Sequence, residues 1–367
     1  MRRVRLKEIG TFYSGLSGKS KSDFSEGNAL LVTYRNIFNN PVLNPAIKDT
    51  VVVGKDEKQN EVLWGDILIT GSSETPADAG MSSVVLFNPQ EKMYLNSFCF
   101  GFRLNDMNEA LPSYIGHLLR STSIRAAISK TAFGVTRFNV NRMRFADIEI
   151  PLPPLNIQKE IVSILDSFTS LIDKMKQEVE MRKKQMEYYR EKLMAPQKNW
   201  EIKTLGEIGT FTRGNGLQKS DFRVKGFPCV HYGQIHTYYN TCIYKTKSFC
   251  EEDLAKKLQK ASYGDLLIAT TSEDVKACCK AAVWFGAGDV AYSGDSFCYS
   301  HDQDPKYMAY LFQTEMFAKQ KQKAATGAKV IRVSGESMAS FSFAFPPLVQ
   351  QRQIASILDT FETYISK

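Results

Sequence analysis

The sequence predicts an α+β fold: two repeat-related domains separated by long helices of coiled-coil type. Three observations carry that expectation. The opening Leu6-Lys7-Glu8-Ile9-Gly10-Thr11-Phe12 returns as Leu205-Gly206-Glu207-Ile208-Gly209-Thr210-Phe211. Trp64-Gly65-Asp66-Ile67-Leu68-Ile69 returns as Tyr263-Gly264-Asp265-Leu266-Leu267-Ile268, and each half closes on a Pro-Pro-Leu segment, at Pro153 and at Pro346. A long apolar heptad follows the first of these. A period of nearly two hundred residues means a pair of domains, not a solenoid of short units.

Each half begins with short runs of β-branched and aromatic residues punctuated by Gly, Asn and Pro. Leu30–Tyr34, Val51–Val53, Asp66–Thr70 and Ser83–Phe87 read as strands, as do Asp265–Thr270 and Ala281–Phe285 in the second half. A helix follows in each, over 112–128 and 305–323, and both start at a proline, which the first turn tolerates. Next come a glycine-containing loop and a last strand. Helices beside a largely irregular sheet make the class α+β.

From Ile161, the positions 161, 165, 168, 172, 175, 179, 182, 186, 189 and 193 form a seam of alternating steps of four and three, broken only by Arg182. The flanks are charged, as a coiled-coil exterior requires. About 40 residues at a 1.5 Å rise give a rod of roughly 60 Å, a spacer rather than a domain element. The second copy begins the same seam with Ile354, Leu358, Phe361 and Ile365 and runs to Lys367. Two such helices are expected to pair antiparallel. The predicted organisation is residues 1–152 as the first domain, 153–195 as the central helix, 196–345 as the second domain and 346–367 as a shortened distal helix.

Composition is that of a globular protein, 43% hydrophobic and 23% charged. No run approaches the ~18 apolar residues of a membrane span, and the basic N-terminus lacks the apolar core of a signal peptide. Seven cysteines, an odd number, fit reduced thiols and a cytoplasmic location. Cys99 and Cys298, each in a Ser-Phe-Cys triplet, read as equivalent small buried hydrophobes. The net charge of +8 suits a polyanionic partner. Arg120, Arg125, Lys130, Arg137, Arg142 and Arg144 fall in one run without a carboxylate; Lys319, Lys321, Lys323, Lys329 and Arg332 fall in another at the repeat-equivalent place. Two such runs point to phosphate contact.

Pro153-Pro154-Leu155, Gln158, Ile161 and Ile164-Leu165-Asp166, their copy Pro346-Pro347-Leu348, Gln351, Ile354 and Ile357-Leu358-Asp359, and Leu205-Gly206-Glu207-Ile208 after Trp200 carry a resemblance. The chain resembles the specificity subunit of a type I restriction-modification system over essentially its whole length. The resemblance implies two target recognition domains, each reading one half of an interrupted sequence in double-stranded DNA. It implies helices that set the half-site distance and dock two modification (methyltransferase) subunits, with restriction (translocase and nuclease) subunits joining them. It implies no catalysis and no cofactor on this chain; S-adenosylmethionine, ATP and Mg belong to the partners. The distal helix is short for the family, and self-association with a second copy is one source of the missing turns.

Phosphate contacts are expected mainly from Lys130, Arg137, Arg142, Lys323, Lys329 and Arg332. Base readers are expected from loops that differ between the halves. In the first domain these are Lys19, Lys21, Tyr34, Arg35, Asn36, Ser72, Ser73, Thr136 and Asn139. In the second they are Gln218, Lys219, His231, Tyr232, Gln234, Thr271, Ser272 and Lys276.

Catalytic and metal motifs are weak. Gly15–Ser20 ends like a phosphate-binding loop but has Tyr13 where the first glycine belongs. Cys229, His231, His236, Cys242 and Cys250 lack a paired Cys-x-x-Cys, so no metal site is expected. Cys278-Cys279 reads as two strand residues facing opposite ways. A stand-alone nuclease or methyltransferase using Asp66 and Asp265, and a coiled-coil scaffold without DNA, remain alternative readings.

Overall fold

The repeated motifs are the joints of the fold. In each Trp/Tyr-Gly-Asp segment the glycine adopts a left-handed conformation (φ +86° at Gly65, +92° at Gly264), which a side chain disfavours. The following aspartate accepts a hydrogen bond from the backbone N–H three residues earlier, Leu63 or Ser262, both at 2.8 Å. The Leu-x-Glu-Ile copies are one-turn helices whose glutamates, Glu8 and Glu207, reach back to the N–H of Arg5 and Thr204.

The computed structural model describes residues 2–366. The chain divides into two units, Met1–Lys174 and Met175–Lys367. In the first, Gly10–Ser14, Cys99–Leu104, Ile67–Thr70 and Ser82–Val84 form an antiparallel sheet in that order. A second sheet places Ala29–Val32 between Thr50–Val51 and Met93–Leu95. Arg2–Arg5 pairs with Glu149–Leu152, tying the ends of the domain together. The second unit repeats this plan with Gly209–Arg213, Ser296–His301, Leu266–Ala269 and Lys280–Trp284, extended by Cys242–Ile243. Glu201–Thr204 pairs with Ser342–Phe345.

Aromatic clusters fill the cores. Phe12 lies 4.6 Å from Phe102 and Phe145 packs edge-on against Phe100 in the first unit. Phe211 stacks on Tyr299 at 4.1 Å and Phe312 on Phe317 at 4.2 Å in the second. Such pairs add about 0.5–1.5 kcal/mol beyond their buried area.

Three local expectations change. The helix expected over 112–128 is two, Pro112–Arg120 and Thr122–Ser129, because Ser121 is extended. Its counterpart likewise breaks into Pro305–Leu311 and Glu315–Ala324, where Thr314 caps the second piece. Tyr34, Arg35 and Asn36 lie on a short helix, Tyr34–Asn39, not on a loop. Cys99 and Cys298 are both buried but are not equivalent. Cys99 pairs with Thr70, whereas Ser296 pairs with Ala269 and Cys298 with Leu267, two residues further along.

The Pro-Pro-Leu…Gln motif has a physical reason. Gln158 is fully buried at the start of the 39-residue helix Leu155–Leu193. Its amide donates to the carbonyls of Glu109 and Pro153 and accepts from the N–H of Leu111. Gln351, at the start of Leu348–Ser366, repeats the clamp with Gln303, Pro346 and the N–H of Asp304. Gln158→Leu should therefore lower the stability of the first unit by about 1–3 kcal/mol, since it strands buried polar groups. Denaturant unfolding checks this; a change near zero would mean that the Gln158 bonds do not hold the helix to the domain.

The heptad seam meets different surroundings along its length. Leu165, Phe168, Ile172 and Met175 are 38%, 59%, 51% and 56% exposed. Within the second unit the seam is covered by the C-terminal helix. Arg182 donates to the carbonyl of Tyr364 and lies over its ring, while Tyr189 stacks on Phe361 at 5.2 Å. Rising numbers on one helix meet falling numbers on the other, so this contact is antiparallel, as expected. Among the described residues no helix is long and apolar enough to cross a membrane.

Candidate nucleic-acid interface

Each unit carries a small polar sheet beside its main sheet. In the first, Ser72–Ser73 pairs with Phe138–Val140, which pairs in turn with Ala132–Phe133. This register gathers Ser72, Ser73, Thr136, Arg137 and Asn139. The Gly134 turn (φ +128°) reverses the chain where a Cβ would strike the carbonyl of Arg137 at 2.1 Å. In the second unit Thr271 pairs with Arg332 and Ser272 with Ile331. Gly327 (φ +102°) makes the matching turn.

The first-unit arginines are pre-positioned. Arg137 lies over the exposed ring of Phe98 at 5.2 Å and donates to the Ser72 hydroxyl at 3.0 Å. Arg142 lies over Phe100 at 5.0 Å and donates to the Ser14 hydroxyl at 2.8 Å. Stacking leaves the guanidinium donors in a fixed plane, suited to phosphate or to a guanine edge. A cavity of about 530 Å³ brings Tyr34 together with Ser72, Ser73, Thr136 and Arg137. Glu74 and Asp78 also line it, two carboxylates that no sequence motif marks. In the second unit a cavity of about 460 Å³ gathers Gln218, His231 and Tyr232 with Arg213 and Asp295, neither of which a sequence motif marks. Asp295 accepts from the Thr271 hydroxyl, joining this cavity to the small sheet.

Several expected readers use their polar groups inside their own domain. Lys19 is paired with Glu57, its side chain only 8% exposed, and this hydrogen bond holds the Glu57 carboxyl down at about 2. Asn36 bridges the carbonyl and N–H of Asn44. Gln234 accepts from the N–H of His231 and donates to Ser248. His231 is buried and accepts from the N–H of Gly233; burial, helped by Lys219, depresses its pKa and keeps it neutral. Lys21, Arg35, Lys130, Lys219, Lys276, Lys323, Lys329 and Arg332 are exposed.

The two cation runs also need correction, because not every member faces outward. Arg120 donates to the carbonyls of Ser82, Ile37 and Phe38. Arg125 donates to those of Ala77, Ala79 and Gly80. Lys321 is buried and donates to the carbonyls of Lys276 and Cys278. Burial pulls the pKa of all three below its ordinary value. These cations satisfy backbone acceptors instead of phosphates.

Asp66, an alternative catalytic carboxylate, is fully buried. Arg103 grips it with two bonds of 2.7 Å, and the Tyr13 hydroxyl adds a third at 2.7 Å. Asp265 is half-buried, accepts from Ser262, and lies 3.4 Å from the Cys298 sulfur. No group of three or more His, Cys, Asp or Glu side chains among the described residues is placed to hold a metal ion.

Comparison with known proteins agrees with the duplicated architecture. The family model described as type I restriction modification DNA specificity domain matches twice, over residues 1–181 and 197–367. A Haemophilus influenzae protein named as a type I restriction enzyme specificity subunit is 28% identical over 242 residues, 63% of this chain. The matched stretch spans 60% of that relative's length. Among solved structures, the S subunit of a type I restriction-modification system from M. genitalium matches with a TM-score of 0.52 at 15% identity. A structure concerned with complex assembly in the type I R-M system matches with a TM-score of 0.61 at 14% identity. In both, all of this chain and 90% of the other are covered. With the family pattern present once in each half, the chain belongs to the family of the type I restriction modification DNA specificity domain.

Proposed function

We propose that this chain is the DNA sequence-specificity subunit of a type I restriction-modification complex, reading a bipartite target with one half-site per domain. The observation that carries the reading is the recurrence, in both family domains, of a polar two- or three-stranded sheet with exposed cations at its rim. Arg137, Arg142, Lys329 and Arg332 are the leading phosphate contacts; Ser73, Thr136, Asn139, Ser272 and Lys276 are the leading readers of base edges. Residues 155–193 are the spacer that fixes the gap between half-sites and, with the C-terminal helix, the surface on which modification subunits dock. Restriction subunits join through them. The chain itself is non-catalytic: S-adenosylmethionine, ATP and Mg are bound by the partners. The saturated bonding of Asp66 supports that division of labour.

Specific duplex binding should fall steeply with salt. Arg137→Ala or Lys329→Ala should weaken binding to every sequence and lower the slope of log K against log salt by about one. A salt titration of each variant against wild type is the test, and an unchanged slope removes that residue from the phosphate set.

A further inference from the structure

The adjacent pair Cys278-Cys279 does not face opposite ways on a strand. It precedes the strand Lys280–Trp284, both thiols are buried, and their sulfurs lie 3.9 Å apart. Cys279 has φ +60°, the one non-glycine among the described residues with a left-handed backbone. The repeat makes this informative. Val84 opposes Ile67 as Val283 opposes Leu266, which places Cys279 at the position of Gly80, itself at φ +69°. The first domain meets the turn with the residue that suits it, whereas the second places a thiol there against backbone preference.

The surroundings favour reaction at one sulfur. The hydrogen bond from Cys279 holds the Cys278 thiol below its usual range, and the buried Lys321 ammonium acts in the same direction. That ammonium bonds the carbonyl of Cys278 at 2.8 Å. Cys279, by the same bond and by burial, is pushed up. The segment 271–277 leads into the pair, with Glu273, Asp274 and Lys276 exposed and the carbonyl of Asp274 accepting from the N–H of Cys278.

We propose that Cys278 and Cys279 are an oxidative modification site that closes a disulfide between neighbouring residues and thereby disturbs the reading edge of the second domain. The oxidant is a hydroperoxide. The Cys278 thiolate attacks the peroxide, a sulfur–oxygen bond forms, and the oxygen–oxygen bond breaks to release alcohol or water. The Cys279 sulfur then attacks the sulfenic acid; a sulfur–sulfur bond forms, and the hydroxyl leaves as water with the Cys279 proton. Two thiols lose two electrons and the peroxide gains them. Closure brings the sulfurs from 3.9 Å to about 2.0 Å, which turns the peptide between them and draws the Cys278 carbonyl from Lys321. Since Lys321 also holds the carbonyl of Lys276, movement at Cys278 disturbs one of the contacts that hold the segment carrying Thr271, Ser272 and Lys276. Because the thiols are buried, the peroxide enters through local opening of that segment.

The effect on DNA rests on the reading proposed above, while the chemistry does not, so two readouts separate them. The full chain is treated with hydrogen peroxide, then followed by intact mass, non-reducing peptide mapping and duplex-DNA affinity, with recovery in dithiothreitol. Wild type should lose two hydrogens within the peptide holding both cysteines and bind DNA about fivefold or more weakly until reduced. Cys279→Gly, which restores the residue of the twin turn, should keep its affinity and show no such loss. Thiols that remain alkylatable, oxygen added to a single cysteine, or an equal response from Cys279→Gly would overturn the site. Disulfide closure with unchanged affinity overturns its effect on reading. If untreated protein binds no DNA, the proposed function fails and the mass readout still judges the thiol pair.

Discussion

Exchanging residues 1–152 for the matching stretch of another family member should change one half of the recognised DNA sequence. The other half and the gap between them should stay as they were. The expectation follows from the separateness of the two cores: the first unit has its own sheets, aromatic cluster and closing strand pair Arg2–Arg5 with Glu149–Leu152. The Gln158 clamp joins that domain to the helix through main-chain carbonyls and an N–H, so it asks little of the exchanged side chains. Each wrong base pair costs about 1–3 kcal/mol, so a half-site differing at several positions switches binding almost completely. Mapping modified bases in cells that supply the modification subunits gives both half-sites and the gap in one measurement. A change in both halves, or in neither, would mean that the domains do not read independently.

Much of this architecture is legible in the sequence, for identifiable reasons. Gly65 and Gly264 stand at left-handed turns, Glu8 and Glu207 cap one-turn helices, Gln158 satisfies three backbone groups, and Gln351 satisfies two backbone groups and the Gln303 side chain. These are local constraints that only a few residue types meet, so duplication preserved them visibly. The 39-residue helix is legible because nothing in it breaks the period.

What was hidden depends on tertiary placement. Arg120 and Lys280 come from different elements, yet both donate to the carbonyls ending a short helix, at Ile37 and Phe38 or at His236 and Tyr239. Arg125 and Lys321 likewise hold the same turn in the two domains. A run of positive residues cannot reveal which members point inward, since a long side chain reaches in either direction. The mismatch of Cys99 and Cys298 has a similar source. A Ser-Phe-Cys triplet looks equivalent in both halves, but two residues of slip between the strands leave both cysteines on buried positions. Side chains alternate along a strand, so a slip of two preserves the face and escapes a reading of pattern alone.

Arg103→Met should be among the most damaging single substitutions in the first domain, costing about 3–5 kcal/mol of its stability. The asymmetry of burial decides which partner matters more. Asp66 has no exposed surface, whereas the Arg103 side chain is 39% exposed and could turn to water if its partner were lost. Removing the cation therefore strands a carboxylate with the Tyr13 hydroxyl and the Leu63 N–H as its remaining partners. Asp66→Asn keeps an acceptor for Leu63 and should cost less. The double variant Arg103→Met with Asp66→Asn should recover part of the loss, because no charge then remains buried. Hydrogen exchange read peptide by peptide suits a chain of two units, since the second serves as an internal standard. Exchange should accelerate across Gly10–Ser14, Ile67–Thr70 and Cys99–Leu104 in Arg103→Met while Leu266–Ala269 keeps its protection. The second domain explains why this pair is dispensable there. Ser300 faces Thr210 where Arg103 faces Thr11, and Asp265, only half-buried, reaches solvent without a cation. Equal exchange in wild type and Arg103→Met would mean that the turn at Gly65, not the ion pair, holds Asp66 in place.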